Sequence, residues 1–341
     1  MQTNGEIETS RYCLYYIRDD QEKKEAGAMG INLKGRSLLT LLDFSYDEIR
    51  YLLDISRQVK LEKRAGTSAQ RFAGKSLAIV FEKRSTRTRT AFETAFGEEG
   101  GYPVFLSKDD IHLGVKEDLE DTARVLGRMF DAIAFRGFKQ STVETLAEWS
   151  GVPVYNGLTD TYHPTQILAD FLTIEEAFGT LRRRKLVYLG DARNNVAVSL
   201  MIGSAKMGLH YVACGPEKLR PDKELLEKCR KIGNEQGAII EVTDNPFEAV
   251  RDADSIYTDV WASMGEEDKM KERIELLSPY QVSSELMANT GRTDSIFLHC
   301  LPAVKGNEVT ADVIEGPSSR VFEEAENRKH TIKAVMIATL L

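Results

Sequence analysis

Nine consecutive residues, Phe81-Glu82-Lys83-Arg84-Ser85-Thr86-Arg87-Thr88-Arg89, carry four cations and three hydroxyls. They follow the apolar stretch Ser76–Glu82, which reads as a buried strand. They lead into Thr86–Glu99, which reads as a helix stopped by Gly100-Gly101. Free N–H groups and the macrodipole make a helix N-terminus positive, so acidic side chains are its usual occupants. Cations crowded there make physical sense when an anion completes the site. Ser85, Thr86 and Thr88 add hydroxyl donors, and Arg87 can grip phosphate oxygens with its planar fork. The plainer alternative is a solvated basic turn in which Ser85 only caps the helix. The hydroxyl–hydroxyl–arginine–hydroxyl order favours the anion site. No G-x-x-x-x-G-K-[ST] loop occurs, so this is not a Walker nucleotide site.

Four further segments carry candidate chemistry. Arg136, in Phe135-Arg136-Gly137, follows the apolar strand Ala132–Phe135 and so stands at a strand's carboxyl end, where open α/β sheets bind ligands; alone it would suit an ordinary salt bridge. His163-Pro164-Thr165-Gln166 opens a helix with proline at its first position. His163 and Gln166, three residues apart, can face one ligand, the alternative being a capping histidine. Asp259-Val260-Trp261-Ala262-Ser263-Met264-Gly265 begins where the strand Ser255–Thr258 ends, which puts Asp259 in place either for an ion pair or for capping the next turn. Gly265 suits a hinged loop. The fourth is His299-Cys300-Leu301-Pro302. Separately, Leu189-Gly190-Asp191-Ala192-Arg193-Asn194-Asn195 ends a strand and precedes a helix, but lacks the G-x-G-x-x-G of a dinucleotide site.

Ser-Thr-Arg-Thr-Arg after Phe81-Glu82, followed in order by these four motifs, resembles the aspartate and ornithine carbamoyltransferases from about Asn32 to Leu341. The resemblance implies a carbamoyl-phosphate site of Ser85, Thr86, Arg87, Thr88, Arg136, His163, Gln166, Cys300, Leu301 and Arg328, with His112 contributed from a neighbouring subunit. Thr88, Arg87, Arg136 and His163 would stabilise charge on the carbamoyl oxygen, the Leu301 backbone would lie near the carbamoyl group, and Asp259 and Cys300 would contact the attacking amine. Ser-Met-Gly is the ornithine-type loop, so Asn195, Asp259, Ser263 and Met264 would hold the amino-acid head of L-ornithine. The implied reaction is direct amine attack on carbamoyl phosphate, giving L-citrulline and phosphate. It needs no cysteine nucleophile, organic cofactor or metal, and Cys300 can equally be a buried inert thiol. A homotrimer, or a higher assembly of trimers, is implied by the shared site. Rival readings are a carbamoyltransferase for putrescine or a modified ornithine, a noncatalytic binder of a phosphorylated metabolite, and a nicotinamide dehydrogenase.

The elements that must position these residues alternate between strand and helix along the whole chain. That predicts an α/β fold of two doubly wound domains, each with a central mostly parallel sheet flanked by helices. Ser45-Tyr46-Asp47-Glu48 is a capping-box signature, and Pro246 marks a helix start with Asp244 or Asn245 as cap. The basic run Arg182-Arg183-Arg184-Lys185 marks a boundary near residue 180. The expected division is 1–30 as a loose extension, 31–179 plus 323–341 as the carbamoyl-phosphate-binding domain, and 180–322 as the ornithine-binding domain. The chain has 341 residues, which fits two domains. A net charge of -8 argues against a nucleic-acid partner. Cys13, Cys214, Cys229 and Cys300 form no C-x-x-C pair, which argues against a zinc knuckle and suits a reducing compartment. No run is apolar enough for a membrane span, and the acid-rich N-terminus matches no targeting signal, so a cytoplasmic protein is expected.

Overall fold

The pattern of buried apolar strands and capped helices folds into two parallel sheets with helices on their faces. The computed structural model describes residues 30–67, 69–111, 117–261 and 270–341, of which Leu33–Leu341 forms one compact unit. The expectations for residues 1–29, and the site residues His112, Ser263 and Met264, lie outside the described residues.

The first sheet contains β1 (Ser76–Phe81), β2 (Tyr102–Ser107), β3 (Ala132–Arg136) and β4 (Val154–Leu158) in the order β2-β1-β3-β4. All its pairings are parallel. Its helices are α1 (Tyr46–Arg64), α2 (Thr86–Gly97), α3 (Leu119–Met129), α4 (Gln140–Ser150) and α5 (Pro164–Phe178). The capping box at Ser45 is formed, with Glu48 reaching back to the Ser45 N–H. β4 is a strand that the sequence reading did not assign. Its Asn156 and Gly157 are poor strand formers, yet Asn156 is fully buried because its amide donates to the Leu39 carbonyl and to Gln140 Oε1.

The second sheet orders β7-β6-β5-β8-β9, again all parallel, from β5 (Lys185–Leu189), β6 (His210–Cys214), β7 (Ile239–Thr243), β8 (Ser255–Thr258) and β9 (Ile296–Leu298). Between and after them run α6 (Asn195–Met207), α7 (Lys223–Gln236), α8 (Pro246–Ala249), α9 (Met270–Leu277), α10 (Ser284–Ala288), α11 (Ala311–Ile314) and α12 (Val321–Leu340). Asn245, not Asp244, caps α8. The helix α7 was also missed, although Asp222 caps it and Leu225, Leu226, Cys229 and Ile232 recur at helical spacing.

Both sheets reverse strand direction of growth at an inner pair, β1/β3 in one and β5/β8 in the other. Such switch points leave a crevice at the carboxyl ends of the strands. The helix α5 is buried from Pro164 to Glu175, all round its circumference, as expected of an element wedged inside a core. It packs against α12, α1 and α6. The helix α12 closes the chain back onto α5, α1 and α2 while its start meets β9. No helix among the described residues is long and apolar enough to cross a membrane.

Candidate active site

Each half of the site grows from the end of an inner strand. At the end of β1, Ser85 caps α2 by accepting from the Thr88 N–H at 3.2 Å, which turns the first helical turn toward β3. The register between β3 and β4 slips at Phe135/Arg136. A bulge of this kind re-aims the next side chain, and Arg136 enters the crevice. Gly137 follows because a Cβ there would meet Glu82 Oε2 at 2.1 Å and the Phe135 ring at 2.3 Å. That Glu82 carboxylate accepts from the Phe138 N–H at 2.9 Å and fixes the turn.

Thr88 is the hub of this half. Its Oγ1 accepts from Arg136 Nη1 at 3.2 Å and from Arg328 Nη2 at 3.0 Å. With both lone pairs engaged, the hydroxyl proton is the group left to donate. Arg328 Nη1 donates to Gln166 Oε1 at 2.8 Å. The Nε atoms of Arg136 and Arg328 are buried without a hydrogen-bond partner. Burial, with Arg328 and Arg87 close by, pulls the Arg136 guanidinium down to about 10. Burial lowers Arg328 to about 10 as well, and Arg87 is depressed in the same direction. Three guanidiniums that oppose one another's charge make a receptor for an anion. The Arg87 side chain forms no hydrogen bond or ion pair among the described residues; the Asp259 and Glu324 carboxylates partly oppose its shift. Lys83 and Arg89 turn elsewhere, onto the Phe138 and Phe105 rings, and Thr86 is exposed.

His163 is 2% exposed at the start of α5, its N–H donating to Ser199 Oγ at 2.9 Å. Burial and the three arginines hold its imidazole well below the ordinary histidine range, so it is neutral and has one N–H to offer.

The second half sits at the ends of β5, β8 and β9. Asn194 caps α6 through its Oδ1 and donates from Nδ2 to Asp259 Oδ2 at 2.9 Å. Asn195 reaches back to the Thr159 carbonyl, joining the two halves. Cys300 Sγ donates to Asp259 Oδ1 at 3.2 Å. Burial and that carboxylate push the thiol far above its ordinary range, so it is a donor and not a thiolate nucleophile. The Leu301 backbone takes a left-handed φ of 58°, and its N–H donates to His299 Nδ1 at 2.8 Å. Asp259, His299 and Cys300 bring metal-ligating atoms within 4.8 Å of one another, but here the carboxylate and thiol bond each other and the imidazole Nδ1 is engaged.

Two buried acids escaped the sequence reading. Asp170 accepts from Gln166 Nε2 at 2.8 Å, and Glu324 accepts from the same nitrogen at 2.6 Å. The available signal was helical spacing: Asp170 stands four residues after Gln166, and Glu324 four before Arg328.

Two parallel sheets whose switch points share an arginine-lined crevice define a two-lobed α/β enzyme built to hold an anionic substrate. The carbamoyl-P binding domain of the aspartate/ornithine carbamoyltransferases matches residues 36–176, and their Asp/Orn binding domain matches residues 182–339. The chain belongs to the aspartate/ornithine carbamoyltransferase family. A Thermotoga petrophila protein named ornithine carbamoyltransferase is 68% identical over 313 residues, covering 92% of this chain and 100% of its own length. A Clostridium perfringens protein named ornithine carbamoyltransferase, catabolic, is 53% identical over 330 residues, covering 91% and 99%. The structure of ornithine carbamoyltransferase from Pyrococcus furiosus superposes with a TM-score of 0.88 at 44% identity, covering 91% of this chain and 99% of that one.

Proposed function

We propose that the protein transfers the carbamoyl group of carbamoyl phosphate to the side-chain amine of L-ornithine, giving L-citrulline and phosphate. The observation that carries this reading is the trio Arg87, Arg136 and Arg328 around Thr88, with two buried Nε atoms unpartnered among the described residues. Ser85, Thr86, Arg87, Thr88, Arg136 and Arg328 hold the phosphate, with His112 of a neighbouring chain completing the pocket. His163, Gln166 and the Leu301 backbone address the carbamoyl group. Asn195, Asp259, Ser263 and Met264 hold the amino-acid head. Cys300 and Asp259 meet the side-chain amine, which attacks in its neutral form.

As the nitrogen lone pair forms the C–N bond, the carbonyl electrons move onto oxygen. The neutral His163 N–H, the Thr88 hydroxyl and Arg136 donate there, more strongly to the developing oxyanion than to the ground-state carbonyl. The oxyanion collapses, the C–O bond to phosphate breaks, and the phosphate leaves into the arginines. The nitrogen passes its proton to the departing phosphate, which leaves as hydrogen phosphate. Positioning and electrostatics do this without a covalent enzyme intermediate.

Packing of α12 on α1, α2 and α5 supports reading 31–179 plus 323–341 as the carbamoyl-phosphate-binding domain and 180–322 as the ornithine-binding domain. The family resemblance supports a homotrimer and the free-thiol pattern supports a cytoplasmic location; sedimentation at a monomer mass would refute the trimer.

The test is citrulline formation by the purified protein from carbamoyl phosphate and a panel of amines. Ornithine should be turned over, and putrescine and aspartate should not. Prompt carbamoylation of putrescine alone would overturn the substrate assignment.

A further inference from the structure

The buried acids Glu324 and Asp170 take no part in the chemistry described above, yet they touch both halves of the site. Glu324 Oε1 accepts from Gln166 Nε2 at 2.6 Å and from the Tyr257 hydroxyl at 3.1 Å, and its Oε2 accepts from the His299 N–H at 2.9 Å. Gln166 then leads through Arg328 to Thr88 in the anion half. His299 leads through Leu301 N–H and the adjacent Cys300 to Asp259 in the amine half. Tyr257 lies on β8, one residue before Thr258, which binds the Leu189 carbonyl of β5. A single carboxylate on the last helix therefore fastens elements of both sheets.

The hydrogen bonds also say where the proton of this acid pair resides. Three donors converge on Glu324, which suits an ionised carboxylate. Asp170 receives one donor, at Oδ1, while its buried Oδ2 has no donor aimed at it. A proton on Asp170 makes it a donor to the neighbouring Glu324 carboxylate. Two buried carboxylates side by side cannot both be charged without large cost. Burial raises both acids, Asp170 the further of the two, in keeping with this count.

We propose that Glu324 is a positioning residue that couples the two half-sites: as the ionised partner of a proton-bearing Asp170, it ties the Gln166–Arg328–Thr88 chain to the backbone of His299, so that an anion bound at Thr88 organises the amine site. This rests on the functional reading given above. An anion that draws Arg328 toward itself pulls on Gln166, and Gln166 shares its amide between Asp170 and Glu324. Glu324 passes any shift to the His299 peptide, which sets where Cys300 and Leu301 stand.

Calorimetry on the full-length protein measures the coupling directly. The probe is 2-aminopentanoate, which has ornithine's head but no side-chain amine. Its dissociation constant is taken with and without saturating inorganic phosphate, and the ratio is the coupling factor. The wild type should give a factor of about 5 or more. Glu324→Gln places an NH2 group against an N–H donor; it should bring the factor to about 1 and raise the ornithine KM about tenfold. Its phosphate affinity should stay within about threefold, within the usual context scatter of one neutral hydrogen bond. Asp170→Asn keeps an acceptor for Gln166 and a donor for Glu324, so it should preserve the coupling. If Glu324→Gln does not fold, Tyr257→Phe removes one donor from the same oxygen and should lower the factor about two- to fivefold.

An uncoupled wild type, full coupling in Glu324→Gln or in Tyr257→Phe, or equal loss in Asp170→Asn and Glu324→Gln would each overturn the proposal. Citrulline formation by the wild type is scored separately, so failure of the functional reading is told apart from failure of the coupling.

Discussion

The anion half-site and the amine half-site use their polar groups in opposite ways. Around Thr88, three guanidiniums stand close together and two of their Nε atoms lack partners among the described residues. Around Asp259, the polar atoms are already matched, to Asn194, to Cys300 and to the Val260 N–H. Arginine cannot shed its charge, so a pocket of arginines stays receptive to an anion. A buried carboxylate would be costly alone, so Asp259 keeps neutral donors beside it that a ligand can displace.

The sharpest way to break this comparison is Arg87→Ala. The Arg87 side chain makes no hydrogen bond or ion pair among the described residues, so its loss should leave folding intact. Turnover should fall about 10²–10³-fold, the cost of about 3–4 kcal/mol for a lost transition-state donor. Near-normal turnover in steady-state assays would remove Arg87 from the site. Asp259→Asn acts on the other half. It should lower kcat/KM for ornithine about 10- to 100-fold, the worth of a charge-assisted hydrogen bond of about 1.5–3 kcal/mol, and spare phosphate affinity. Equal losses on both ligands would erase the division.

Thr88→Val tests whether the anion half is held together by its hub. The change keeps the shape and sets two buried guanidinium donors against a methyl group. Urea unfolding should show a loss of about 1–3 kcal/mol; an unchanged midpoint would mean that the arginines find other acceptors. The smallest effect is expected away from both halves. Burial, with Lys329 and Lys60 nearby, holds His330 at about 4 against its ordinary 6.5, even though Glu326 opposes the shift. The folded state thus binds fewer protons than the unfolded one between those values. Its contribution to stability is present above pH 6.5 and is lost as pH falls toward 4. His330→Gln should flatten the stability profile over that window relative to wild type, and parallel profiles would contradict the assignment.

The anion loop was legible in the sequence because its charge runs against what a helix N-terminus ordinarily accepts. Arg136 and His163 were legible from their places at element boundaries. The amine half was harder to read from residues alone. Asp259 and Cys300 mean little until the fold sets them 3.2 Å apart. Glu324 and Asp170 went unread because charged residues on helices usually face water, and only tertiary packing buries them. The strand β4 went unread for a related reason, since the acceptors for the Asn156 amide nitrogen lie at Leu39 and Gln140, distant in sequence.

The helix α12 carries Arg328 into a pocket whose other members begin at Ser85, more than two hundred residues earlier in the chain. A nascent polypeptide therefore cannot assemble the proposed phosphate receptor while the helix bearing Arg328 is still inside the ribosome. Ser85, Thr88 and Arg136 emerge long before, and the proposed receptor waits on the helical turn that carries Arg328.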